Sequence, residues 1–278
     1  MARIVGVHGI GKQVEGEFTL GWSEALCSGV KLARGPQLTE ADIAMAFYGY
    51  LFRKKLAKGS PDPLYTAIDV QDEDEFALLE AWWKASGAAP GSDAEAAKGR
   101  TPGWVQTALL GLGKVPFFAG VAEHVMIADL KQVTRYMRDA ELRAEIQACV
   151  RAAIEPDTRV VVGHSLGSVI AYEVLAASPE LDIAALVTIG SPLGIPKVIF
   201  DRLTPPPAGG AGTWPGGVRQ WHNIADPGDV VALVKRLSPL FGGRVSDWLV
   251  CNGAKAHDAK PYLTAEETGH AIASGLED

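Results

Sequence analysis

Cysteine is scarce in this chain of 278 residues: Cys27, Cys149 and Cys251 are widely spaced and odd in number. They make neither a disulfide framework nor a metal knuckle, and they read as buried thiols in reducing surroundings. Basic charge is also short, with 26 Lys and Arg against 33 Asp and Glu and a formal net charge of -7. An acidic surface repels a phosphate backbone, so nucleic acid is excluded as a partner. Long apolar runs are missing too. The most apolar stretch, Trp104 to Leu130, is interrupted by Lys114, Pro116, Glu123, His124 and Asp129, which makes a spanning helix costly. Met1-Ala2-Arg3 runs straight into Ile4-Val5-Gly6-Val7 without the basic, apolar and cleavage regions of a signal peptide, so a cytoplasmic location is expected. Histidines and cysteines are scattered, and Asp72 to Glu75 lacks calcium-loop spacing, so neither a metal nor an organic cofactor is expected.

Apolar residues make up 47% of the chain and charged residues 21%, enough to build one large core. Short β-branched runs alternate with helical patterns, which predicts an α/β fold: a mostly parallel sheet with helices on both faces. Six strands are expected, at Arg3 to Val7, Ile43 to Phe47, Arg159 to Gly163, Ala185 to Ile189, Arg219 to Asn223 and Asp247 to Cys251. More than a hundred residues separate the second from the third, so that gap must hold an insertion. The expected division is a core of residues 1–52 and 137–278 with a helical cap at 53–136. Within and beside the cap, Asp72-Glu73-Asp74-Glu75 precedes an apolar helical pattern. Ser86 to Gly103 reads as a loop, and Asp139 to Ile154 as a helix ended before Pro156. Thr204 to Gly217, rich in Pro and Gly, is expected to be an exposed loop.

The strongest chemical signal is Gly163-His164-Ser165-Leu166-Gly167, between the run Arg159 to Val162 and a helical pattern from Ser168 to Leu175. A G-x-S-x-G pentapeptide in strand-turn-helix context makes a tight turn that exposes the serine at a helix N-terminus, so Ser165 is the candidate nucleophile. An oxyanion formed on attack needs two backbone donors. One is expected from Leu166, directly after the serine, and the other from Ile10 in Val7-His8-Gly9-Ile10-Gly11 after the first strand. The glycines of that early loop, with Lys12 and Gln13, match neither the phosphate-loop nor the dinucleotide spacing. A carboxylate and a base should follow late strands. Asp226 and Asp229 compete for the first role, and Asp229 is preferred because an Asp beside Pro-Gly commonly only closes the turn. For the base, His257 lies just past the sixth strand, whereas His222 lies inside a strand and His270 near a polar, frayed terminus, held in reserve. His8 and His164 are expected to hydrogen-bond around the site.

These pieces resemble the α/β-hydrolase superfamily, and several are similar to its intracellular phospholipase A1 (DDHD-type) branch. The similarity rests on Val7 to Gly11, GHSLGSVIAYEVL from Gly163 to Leu175, Ile189-Gly190-Ser191-Pro192-Leu193-Gly194, and NIADPGDVVALVKRLSPL from Asn223 to Leu240, about a quarter of the chain. The resemblance implies an α/β-hydrolase fold and aligns the branch's acid-bearing segment with Asp229-Val230-Val231-Ala232. It also implies His257 as base, preceding the aromatic Tyr262. Valine follows the acid here where the branch has proline, the branch's large accessory regions are missing, and the cap is this chain's own.

The resulting expectation is a serine hydrolase acting on a small-molecule or lipid acyl ester, lipase- or esterase-like, through an acyl-Ser165 intermediate. Thioesterase, amidase or serine peptidase chemistry fits the same triad, and a non-catalytic interaction protein is the remaining class. Trp104, Val105, Leu109, Leu110, Leu112, Val115, Phe117, Phe118 and Val121 are expected either to line an apolar channel or to meet a bilayer as a peripheral contact. Arg53, Lys54, Lys55 and Lys58 would then face anionic head groups or, more simply, solvent.

Overall fold

The computed structural model describes residues 3–10, 15–53, 63–88, 101–115 and 121–277. Among these residues six strands form one wholly parallel sheet: β1 (Ile4–Val7), β2 (Ile43–Ala46), β3 (Val160–His164), β4 (Ile183–Ile189), β5 (Val218–Ala225) and β6 (Ser246–Leu249). Each overlaps its sequence expectation, with no end shifted by more than two residues. Their order is β2-β1-β3-β4-β5-β6.

Period-two alternation divides the strand side chains between two faces. Ile4, Val160, Val162, Ala185 and Val187 face one core, shared with Trp22, Leu26 and Val30 of α1 (Glu15–Leu32) and with the C-terminal helices α7 (Ala259–Thr264) and α8 (Glu266–Glu277). Val5, Val7, Val161 and Leu186 face the other core, shared with α5 (Ala140–Ala153) and α6 (Leu166–Ala177). The insertion between β2 and β3 supplies α2 (Glu73–Ala85), α3 (Pro102–Leu112) and α4 (Glu123–Arg138), and its apolar residues join this second core. The first crossover, through α1, leads from β1 outward to β2, and the next returns across to β3 on the far side of β1. The sheet therefore has a switch point between β1 and β3, where a crevice opens at the carboxyl ends of the strands.

Local signals set the helix ends. Asp72 caps α2 by accepting from the Asp74 amide at 2.8 Å, and Glu75 reaches back to the Asp72 amide. Asp139 does the same for α5, accepting from Leu142 at 3.0 Å. The insertion is tied to the core by a buried hydrogen bond and an ion pair that would be costly to break. Glu173 of α6, fully buried, accepts from Arg143, from Tyr136 Oη at 2.6 Å and from the Thr204 amide at 2.9 Å. Arg202 clamps the Asp74 carboxylate.

Several expectations need correction. Cys251 is exposed and Cys27 and Cys149 are only partly buried, because none lies on a strand's core face. The C-terminus is not frayed, since α8 packs on α1 and inserts Ala271 and Ile272 into the first core. Thr204 to Gly217 is a loop as expected but only partly exposed, with Trp214 lying against the second core. Among the described residues of the apolar run, Val105, Leu109 and Leu112 are core residues, and only Leu110 and Val121 are exposed. Phe117, Phe118, Lys54, Lys55, Lys58, Gly11, Lys12 and Gln13 lie outside the described residues, as does the side chain of Arg53. Among the described residues no helix is long and apolar enough to cross a membrane.

Candidate active site

Strand register brings the motif loops to one edge. Val7 pairs with Gly163, so His8 and Gly9 leave the sheet beside His164 and Ser165. His164 pairs with Ile189, Ile189 with Ile224, and Ala225 with Leu249, so Gly190, the Asp226 to Asp229 turn and the loop carrying His257 all emerge at the same carboxyl edge.

Ser165 occupies the sharp turn between β3 and α6 at φ 53 and ψ −130, a positive φ that a non-glycine residue adopts at a cost of about 1–3 kcal/mol. The surrounding bonds hold it there. Its N–H donates to Ile189 O at 3.1 Å, and its carbonyl accepts from the Ser168 amide at 2.9 Å and from Ser168 Oγ at 2.6 Å. Gly9 admits the early loop to this turn, because a Cβ there would lie 2.8 Å from Ser165 Cβ. Leu166 is the first residue of α6, and an amide in a helix's first turn has no acceptor within the helix.

The structure brings Ser165, His257 and Asp229 together. Ser165 Oγ stands 2.9 Å from His257 Nε2, and His257 Nδ1 stands 2.8 Å from Asp229 Oδ2. A carboxylate only accepts, so Nδ1 carries the hydrogen and Nε2 is left to accept from the serine hydroxyl. Burial pulls the Asp229 carboxyl upward, but the His257 charge, their hydrogen bond and the amides of Ala232 and Val231 outweigh it and hold it below its ordinary value. Those amides approach Oδ1 at 3.2 and 2.9 Å.

Asp226 is engaged elsewhere: it accepts from the Gly228 amide at 2.6 Å and from the Asn252 amide, bracing the turn against the loop before His257. Of the other histidines, His222 sits on β5 beside Gln220 and Trp248, and His270 is exposed on α8 beside Glu266. His8 and His164 support the loops. His164 is driven down to about 3 by burial and so is neutral, and its Nε2 donates to the His257 carbonyl at 2.8 Å, fixing the backbone at His257. Burial lowers His8 to about 4. It donates from Nδ1 to Gly9 O at 2.6 Å and stacks on Tyr48 at 4.2 Å, and the Tyr48 hydroxyl donates to the His8 carbonyl.

Sequence reasoning missed three contributors. Tyr262, noted only as an aromatic after the base, donates its hydroxyl to Asp229 Oδ2 at 2.9 Å while accepting from the Asp226 amide at 2.7 Å. It thereby joins the two aspartates. Gly190 has φ +55, and a Cβ there would lie 3.0 Å from Asp229 Oδ2 and 3.1 Å from His257 Nδ1. Its position just after a strand at Gly-Ser-Pro was the available signal. The third is Asp129 of α4, which lines the pocket together with Ser165 and His257 and in the sequence is simply a charge interrupting an apolar run.

That pocket has a cavity of about 440 Å³, with Leu78 and Trp82 of α2, Met126 and Val133 of α4, and Ile195, Ile199 and Val231 of the core on its walls. Val121 and Ile10 also reach it, but Trp104, Val105, Leu109 and Leu112 do not, so α2 and α4 rather than α3 face the serine. Comparison with protein-family models, with curated proteins and with solved structures finds no match.

Proposed function

We propose that this protein is a serine hydrolase of α/β-hydrolase type that cleaves an acyl ester. The observation that carries the reading is the relay from Ser165 Oγ through both nitrogens of His257 to Asp229, at 2.9 and 2.8 Å, beneath an apolar pocket. Fold alone would not suffice, since one fold hosts many chemistries.

The steps follow from the hydrogen-bond roles. Ser165 Oγ attacks the ester carbonyl carbon as its proton passes to His257 Nε2, and Asp229 stabilises the imidazolium. The amides of Ile10 and Leu166 receive the oxyanion, each such donor contributing about a hundredfold to a thousandfold in rate. Collapse of the tetrahedral intermediate breaks the carbon–oxygen bond to the alcohol, which leaves with the proton from His257 and leaves the acyl group on Ser165. Water then attacks the acyl carbon and gives one proton to His257. When the second tetrahedral intermediate collapses, Ser165 Oγ recovers that proton and the carboxylic acid departs. Apolar walls formed by Leu78, Trp82, Ile195 and Ile199 suit the hydrocarbon part of an ester.

Labelling with a fluorophosphonate probe tests the reading, followed by turnover of acyl esters of graded chain length beside aminoacyl amides. Native protein should label at Ser165 and Ser165→Ala should not. Ester turnover should fall to background in the variant. Equal labelling of both proteins would overturn the assignment. Amide turnover without ester turnover would replace the ester by a peptide-like substrate.

A further inference from the structure

Asp129 is out of keeping with its surroundings. It lies in the middle of α4, where the helix turns Met126 and Val133 into the same pocket, and its carboxyl shares that cavity with Ser165 and His257. No hydrogen bond from a described residue reaches the carboxyl, and the ionisable neighbour whose charge acts on it is His257. The other charged groups on the pocket, Lys255 and Asp258, are exposed residues of the loop around His257, and the remaining ionisable one, His164, is neutral and turned to the His257 carbonyl. Asp229, on the far side of the imidazole, is occupied by His257 and Tyr262.

A carboxyl in an apolar cleft keeps water around it while the cleft is empty. A wholly hydrocarbon ester filling the cleft would strip that water and leave the acid unsatisfied, a heavy penalty for a charged group and still a cost for a neutral one. An ester carrying its own N–H or O–H donor at that height would replace the water by a charge-assisted hydrogen bond, while Leu78, Trp82 and Ile199 cover the rest of its chain.

Resting on the ester-hydrolase reading above, we propose that Asp129 is a specificity-determining residue that accepts a hydrogen bond from an ammonium or hydroxyl group of the substrate. The substrate class is thus an amphiphilic ester with one donor, rather than a plain fatty acyl ester. Burial raises the Asp129 carboxyl to about 7, which fits a group that is finished by a ligand rather than by the protein.

The test uses p-nitrophenyl esters of short to medium acyl chains ending in methyl, hydroxyl or ammonium, and a second set bearing the same three ends on the alcohol. Wild type, Asp129→Asn and Asp129→Leu are assayed at pH 8. Wild-type kcat/KM for some donor-ended ester should exceed that of its methyl-ended counterpart by about tenfold or more, the usual worth of a hydrogen bond to a charged group. Asp129→Leu should bring that ratio to one or below. Asp129→Asn, nearly isosteric, should keep a preference for hydroxyl and lose one for ammonium, which tells the two donors apart. A wild type that favours methyl ends throughout both sets, or a donor preference that survives in both variants, overturns the proposal. Fluorophosphonate labelling of the same samples separates the failures: a labelled Ser165 without donor preference removes only the role of Asp129, whereas no labelling and no turnover remove the hydrolase reading with it.

Discussion

Replacing Asp129 by Asn should change the pH dependence of stability in a direction set by its burial alone. Its carboxyl rises from an ordinary 3.8 to about 7, because desolvation in the pocket outweighs the attraction of His257. A group that binds its proton more tightly when folded destabilises the fold as pH rises: the unfolded chain ionises near pH 4 while the folded chain resists until about 7. Below pH 4 both states are protonated and the contribution vanishes. Between 4 and 7 it grows, and above 7 it is complete. In a sealed site that displacement would cost about 4 kcal/mol. Asp129 is only partly buried and its pocket opens to water, so screening reduces the figure to about 1–2 kcal/mol. Asp129→Asn removes the ionisation, and at pH 8 it should melt about 2–4 °C above the wild type for a chain of this size. The two proteins should converge toward pH 4. Thermal melts at half-unit steps from pH 4 to 9 would measure this, and a difference independent of pH, or a variant weaker at pH 8 than at pH 5, would refute the reasoning.

Asp229→Asn should lower kcat for ester turnover by about a thousandfold to ten-thousandfold, since an amide no longer holds His257 in the required tautomer. Because the folded carboxyl of Asp229 is held below its ordinary value, its stabilisation is present above about pH 4 and is lost as pH falls through the folded value. Melts of this variant should therefore approach the wild type in strong acid. Gly190→Ala puts a methyl group 3.0 Å from the Asp229 carboxylate at a positive φ, and should cut kcat/KM about tenfold to a hundredfold by displacing the dyad. An unchanged value would show that the dyad tolerates the shift. Arg143→Ala strands the buried Glu173 and should cost about 3–5 kcal/mol in urea unfolding. Turnover per fluorophosphonate-reactive serine should meanwhile hold within about twofold, as neither residue touches the pocket.

By itself the sequence determined the features carried by local pattern. Short β-branched runs marked six strands along the chain, and the turn residues between Gly163 and Gly167 marked the bend that projects Ser165, because both depend on neighbours within a few positions. It also offered Asp226 and Asp229 as candidate carboxylates and favoured Asp229, because Asp226 stands beside Pro-Gly. Only the tertiary structure put a partner on one of them, since His257 lies 28 residues from Asp229 in sequence and pairs with it, while Asp226 closes its own turn. The same holds for Tyr262, whose hydroxyl reaches back across 33 residues to Asp229, and for Asp129, whose neighbours in the chain are apolar helix residues. The helix that faces Ser165 was likewise a matter of packing. Apolar residues on α3 and α4 look alike in sequence, and which of them line a cavity and which fill the core depends on how the insertion seats on the sheet through Tyr136 on Glu173 and Asp74 on Arg202. Local chemistry was legible because it acts over one turn of chain. The pocket was not, because its walls come from segments that meet only after the sheet has set their register.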